Sequence, residues 1–134
     1  MRRVLIKIPT PLPGAHDAWI PLDPLNKIKD FALNVEHPQG GPKAKWFRDC
    51  LGIVRDDWEF LHDQILDRLP DCYIADMATR TPRSAEGVQF GVQVPIDGRN
   101  GRSAPIHTGW LVPLGLSPRP KLLTTRPARR RTRC

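Results

Sequence analysis

Apolar residues recur every three or four positions as far as Leu69 and at every second position from Val88 onward, so the chain has to change from helices to strands partway along. Pro70 sits at the change. Before it, Asp23-Pro24 reads as a helix start, with Asp as N-cap and Pro in the first turn, and Leu25, Ile28, Phe31 and Ala32 form one apolar face that ends near Asn34. After Gly40-Gly41-Pro42, the residues Ala44, Phe47, Cys50 and Leu51 repeat the spacing, and Gly52 supplies a stop. Asp56-Asp57 caps a third helix, whose stripe is Trp58, Leu61, Ile65 and Leu69.

Beyond Pro70 the clearest alternation is Val88, Phe90, Val92 and Val94, answered after the turn Asp97-Gly98-Arg99-Asn100-Gly101 by Ala104, Ile106, Thr108, Trp110 and Val112. That pattern is an antiparallel hairpin. Weaker strand candidates lie at residues 2–8, 72–77 and 121–125. The expected class is α+β, with two or three N-terminal helices followed by a small antiparallel β-sheet. At 134 residues with 15 prolines, one domain fits: a strand and Pro-rich lead over 1–22, the α+β unit over 23–118, and a basic tail over 119–134.

The formal charge of +7 is unevenly placed. Seven of the 21 Lys and Arg lie from Arg119 onward with no acid among them, which leaves the rest formally neutral against its 14 acids. An Arg-rich tail attracts phosphate without regard to sequence, and it serves equally as a solubility element.

Cys50, Cys72 and Cys134 form no CxxC pair, which reads as reduced-compartment usage, and no segment has the length of a signal peptide's core or a membrane span. A cytoplasmic protein without membrane attachment is the expectation. The scattered His and Cys residues lack zinc-ligand spacing, Gly40-Gly41 lacks the rest of a phosphate loop, and no nucleophile signature for acyl transfer occurs. Neither metal nor cofactor is expected.

Two ordered motifs stand out: Leu33-Asn34 with His37-Pro38, Gly40-Gly41, Lys43-Ala44, Phe47 and Leu51-Gly52, and later Asn100-Gly101-Arg102 with Ala104, Thr108 and Trp110. In these residues the chain resembles a small bacterial domain family of unsettled function. The family pattern runs LN..HP.GG.KA.FF...LG and then NGR.A.V.T.W. The match covers about two-thirds of the chain, and it departs at Gly109, where a β-branched residue is more usual, and in the long basic tail. The resemblance implies an order of elements like that of the toxin-associated ribonucleases grouped with barnase, RelE and the colicin ribonucleases.

A metal-independent ribonuclease has to activate a 2′-hydroxyl, stabilise a pentacoordinate phosphate and protonate a leaving oxygen, and His, Lys, Arg and Thr suffice for these tasks. His37 is the candidate general base or acid, Lys43 and Arg102 the phosphate stabilisers, and Thr108 a hydrogen-bond donor. Lys45, Arg99, His107 and Trp110 are candidate nucleic-acid contacts. Strand alternation puts His107 on the face opposite Thr108, so His107 is the substitute if the other face carries the site.

Each assignment has a structural rival. His37-Pro38 also reads as a turn in which imidazole caps the backbone, Lys43 and Lys45 as solvated helix positions, Arg102 as a hairpin pin, and Trp110 as core. Two functions from different classes follow. One is a toxin-like ribonuclease acting on RNA and neutralised by an antitoxin or immunity protein; the other is a non-catalytic module that binds protein or nucleic acid. The ribonuclease reading requires His37, Lys43 and Arg102 to share one cleft.

Overall fold

The structure is a computed structural model, and it describes residues 10–77 and 87–128. Among these, three helices precede a four-stranded antiparallel sheet, which is the expected α+β order. The helices are a π-helical segment Lys27–Ala32, α1 Gly41–Leu51 and α2 Trp58–Arg68. The strands are β1 Ile74–Met77, β2 Val88–Asp97, β3 Ser103–Val112 and β4 Lys121–Pro127, in sheet order β1-β2-β3-β4. The candidate strand over residues 2–8 lies outside the described residues.

The first helix starts later than Asp23-Pro24 predicts. Asn26 is its N-cap, with Oδ1 accepting from the N–H of Ile28 at 3.0 Å and of Lys29 at 2.9 Å, and the Asp23-Pro24 peptide is cis. A buried Asn that satisfies two orphan donors out-competes an exposed Asp three residues upstream. The other two helices follow the apolar spacing. Ala44, Phe47, Cys50 and Leu51 are buried on α1, as are Leu61 and Ile65 on α2, and Leu69 just beyond it. Gly52 ends α1 at φ 65°, a left-handed conformation that favours glycine.

β2 and β3 pair without interruption from Val88↔Val112 to Asp97↔Ser103. Val92, Val94, Ile96, Ile106, Thr108 and Trp110 therefore share the face packed against the helices, and all are buried. β4 joins β3 with an irregularity at Gly109/Trp110, which places Leu122 opposite Trp110 and Thr125 opposite Thr108 on that same face. Lys121, Thr124 and Arg126 consequently face the other side, paired with Leu111, Gly109 and His107.

Leu12, Ala15 and Ile20 pack into the same core as the helices and sheet, and Leu122 of β4 does so from the other end of the chain. Residues on either side of 23–118 therefore complete the hydrophobic interior. The cysteines depart from the expected reduced thiols: Cys50 is disulfide-bonded, while Cys72 is free and buried. A disulfide needs proximity in space, which the absence of a CxxC pair does not exclude. Among the described residues, no helix is long and apolar enough to cross a membrane.

Candidate functional site

The two sequence motifs turn out to hold opposite ends of one helix. At the start of α1, His37 Nδ1 accepts from the N–H of Gln39 and of Gly40, each at 3.1 Å, and the His37 carbonyl accepts from Gly41 N at 2.8 Å. Gly40 and Gly41 are needed there because the chain runs so close to its neighbours. A Cβ on Gly40 would lie 2.3 Å from the Phe31 carbonyl oxygen, and one on Gly41 would lie 2.6 Å from that of Val35. At the end of α1, Asn100 Nδ2 donates to the Cys50 carbonyl at 3.1 Å and Arg99 N to that of Leu51 at 2.8 Å. The hairpin turn thus satisfies carbonyls that a helix end leaves open.

This arrangement separates the expected catalytic set. His37 and Lys43 lie at the N-terminal end of α1, and the Asn100-Gly101-Arg102 turn lies at its C-terminal end, roughly 16 Å away at 1.5 Å per residue. Arg102 is exposed, and its backbone N–H donates to Asn100 Oδ1 at 3.1 Å. Thr108 is buried at 0% exposure, donating to the Val92 carbonyl and accepting from Trp110 Nε1, both at 2.7 Å. Trp110 is itself fully buried. Arg99 lies over the Phe60 ring at 4.0 Å and pairs with Asp57 at 3.4 Å, which ties it to the start of α2. Lys45 is exposed on α1.

His37 has a further chemical constraint. An Nδ1 that accepts two N–H groups holds the neutral ring as the Nε2–H tautomer, so its remaining nitrogen is a donor and not a base. Its ring also packs on Phe31, with centroids 4.5 Å apart. His37→Ala is expected to cost about 1 kcal/mol by freeing both N–H groups, whereas His37→Asn, whose side-chain oxygen can accept them, retains most of that stability. Urea denaturation of the two variants would measure the difference.

What the fold does gather is a cationic cluster where α1 meets β4. Lys43 Nζ donates to Thr124 Oγ1 at 3.4 Å and stands 5.5 Å from the centre of the Phe31 ring. Burial pushes the Lys43 ammonium below the ordinary lysine range, and the positive charge of Arg126 pushes it further the same way. Thr124 lies across Gly109, where a Cβ would meet its Cγ2 at 2.8 Å, so the unusual glycine makes room for the residue that Lys43 touches. Arg126 pairs in register with His107, and His107 with Gln93, which places an amide, an imidazole and a guanidinium in one cross-strand row.

Among the described residues, no carboxylate balances this cluster. The ion pairs among the described residues involve Arg48, Arg55, His62, Arg68 and Arg99, and none includes Lys43, Arg119, Lys121 or Arg126. By contrast, the cavity of about 310 Å³ lined by Val35, Glu36, Arg48, Val54 and Arg55 has both arginines matched, Arg48 to Asp49 at 2.9 Å and Arg55 to Asp30 at 2.7 Å. No group of three or more His, Cys, Asp or Glu that could hold a metal ion occurs among the described residues.

Arg119, Lys121 and Arg126 fall in the basic tail of the sequence, within which 121–125 is a weaker strand candidate; β4 Lys121–Pro127 realises that strand, with Leu122-Leu123 and Thr124-Thr125 between the two cations that it carries. No curated protein and no solved structure matches the chain. Residues 12–129 match the model of a domain of unknown function, DUF6883, and the chain belongs to that family.

Proposed function

We propose that this protein is an RNA-binding module that grips the phosphodiester backbone where α1 meets β4. The observation that carries this reading is the contact of Lys43 with Thr124, two residues from Arg126 on β4, with no carboxylate paired to either cation among the described residues. Burial of the Lys43 ammonium, with the positive charge of the exposed Arg126 added to it, opposes folding, and an anion placed beside them would relieve that cost. Thr124 adds a hydroxyl, and β4 carries Lys121 on the same face.

His107 favours a second reading. It lies opposite Arg126 on the face that carries Thr124, so an imidazole stands next to the cations that would stabilise a phosphorane. In that reading the module is a metal-independent ribonuclease, with His107 in the proton-transferring role first given to His37, and with Lys43 and Arg126 as the charge stabilisers. The helices-then-sheet order is an analogy to toxin-associated ribonucleases, and a neutralising partner would need an acidic surface to cover the cluster.

A single titration addresses both. Labelled single-stranded RNA, followed by fluorescence anisotropy over a range of salt concentrations with EDTA present, is expected to bind with an affinity that falls steeply as salt rises. Products run on a gel from the same samples report cleavage. Intact RNA supports the binding module; fragments that disappear in His107→Ala support the ribonuclease. Absence of binding at low salt would remove both.

A further inference from the structure

Among the four tryptophans, Trp110 is buried in the core, Trp46 and Trp58 pack against it, and Trp19 alone stands outside that cluster. A half-buried indole outside the core cluster calls for another explanation. Its backbone is fastened to the start of β4, with Trp19 N donating to the Pro120 carbonyl at 2.9 Å and the Trp19 carbonyl accepting from Leu122 N at 3.0 Å. Two cations attend the ring: the Arg119 guanidinium carbon at 5.5 Å and Lys121 Nζ at 5.9 Å from its centre. Arg119 is anchored by donating Nε–H to the Asp17 carbonyl at 3.0 Å, while Lys121 enters no ion pair among the described residues.

β4 thus links an aromatic platform with cations at its first residue to the Lys43–Arg126 cluster near its last, roughly 16 Å apart at about 3.3 Å per residue. Lys121, Thr124 and Arg126 share one face of the strand. A half-buried indole with cations over its ring, continued by a row of cations, offers a base a place to stack in exchange for a cation and its phosphates a track to follow. Bases in an A-form duplex are stacked on one another and lie out of reach of such a ring.

We infer that the polynucleotide bound at this edge is single-stranded, with an unpaired base stacked on Trp19 and its backbone running along β4 toward Arg126 and Lys43. This rests on the RNA-binding reading and names the substrate class of that site. The test uses the full chain and two labelled probes at one low salt concentration, a uridine homopolymer and a fully paired RNA duplex of equal length. The parent is expected to bind the homopolymer roughly tenfold more tightly than the duplex, in keeping with the contribution of one stacked base.

Trp19→Leu is expected to abolish that preference by weakening homopolymer binding roughly tenfold, and Trp19→Tyr to restore most of it; circular dichroism would verify that both variants are folded. Equal affinity of the parent for the two probes, or an unchanged preference in Trp19→Leu, would overturn the inference and leave the RNA-binding reading intact. Failure of the parent to bind either probe would overturn both.

Discussion

Trp110→Ala is expected to cost about 3–5 kcal/mol of folding stability, the range for removing a large buried aromatic side chain. Trp110 has 0% exposure, lies opposite Phe90 on β2 and Leu122 on β4, and donates its indole N–H to the Thr108 hydroxyl at 2.7 Å. The substitution leaves a cavity at the centre of the sheet and takes a partner from a hydroxyl that is itself fully buried. Against a typical total of about 5–15 kcal/mol the loss is large, and the thermal midpoint should fall by roughly 10–20 °C. Urea denaturation with an unchanged slope would register it as a stability effect. Trp110→Phe keeps most of the volume and should cost far less. RNA affinity measured on the folded fraction should be unaltered in both. A stable Trp110→Ala variant that binds RNA weakly would instead make Trp110 a base contact.

The same residue shows how function and packing become confused in a linear motif. Thr108 and Trp110 are two positions apart on one strand, so they share a face, and alternation alone shows that this face also carries Ile106 and Val112. The apolar neighbours identify the face as the core. The helices of 41–51 and 58–68 and the hairpin were equally legible, because their apolar periods are long and uninterrupted. The start of the first helix was not, because Asn26 and Asp23 are both good N-caps and the choice depends on which of them the core buries.

The candidate site was less legible, for a physical reason. His37-Pro38 to Gly41 and Asn100-Gly101-Arg102 carry residue types suited to phosphate chemistry, and the same types are suited to capping a helix. In this fold they bracket α1, and His37 Nδ1 and the Asn100 amide are engaged by backbone groups. Lys43, by contrast, is singled out in the sequence together with His37 and Arg102, whereas in the fold its side chain meets Thr124. Its companions Thr124 and Arg126 lie about eighty residues further along the chain, and only the pairing of β4 with β3 reveals that they belong together. Sequence spacing carries no information about a contact made across a sheet edge.

Lys43→Met tests that cluster through two opposite effects. The ammonium is held below the ordinary lysine value of 10.5 by burial first and by Arg126 second. In the alkaline range just below 10.5 the unfolded chain therefore binds this proton more tightly than the folded one, and the contribution of Lys43 to stability rises with pH until both states are neutral. An apolar side chain of similar length removes the penalty, so Lys43→Met should be more stable than the parent at neutral pH, with the difference shrinking as pH approaches 10.5. RNA affinity should move the other way. Each lost phosphate contact lowers the steepness of the salt dependence by about 0.7 for a single strand, so the double variant Lys43→Met/Arg126→Gln should lose about 1.4. At low salt its affinity should fall roughly tenfold to a hundredfold. Thermal denaturation and anisotropy on the same preparations give both readings. A variant that is stabilised yet binds RNA with the parental salt slope would show that the cluster is not where phosphate sits. One that is destabilised would show that Lys43 serves the fold, because a residue kept for ligand binding at the expense of stability should become dispensable to folding once the ligand is absent.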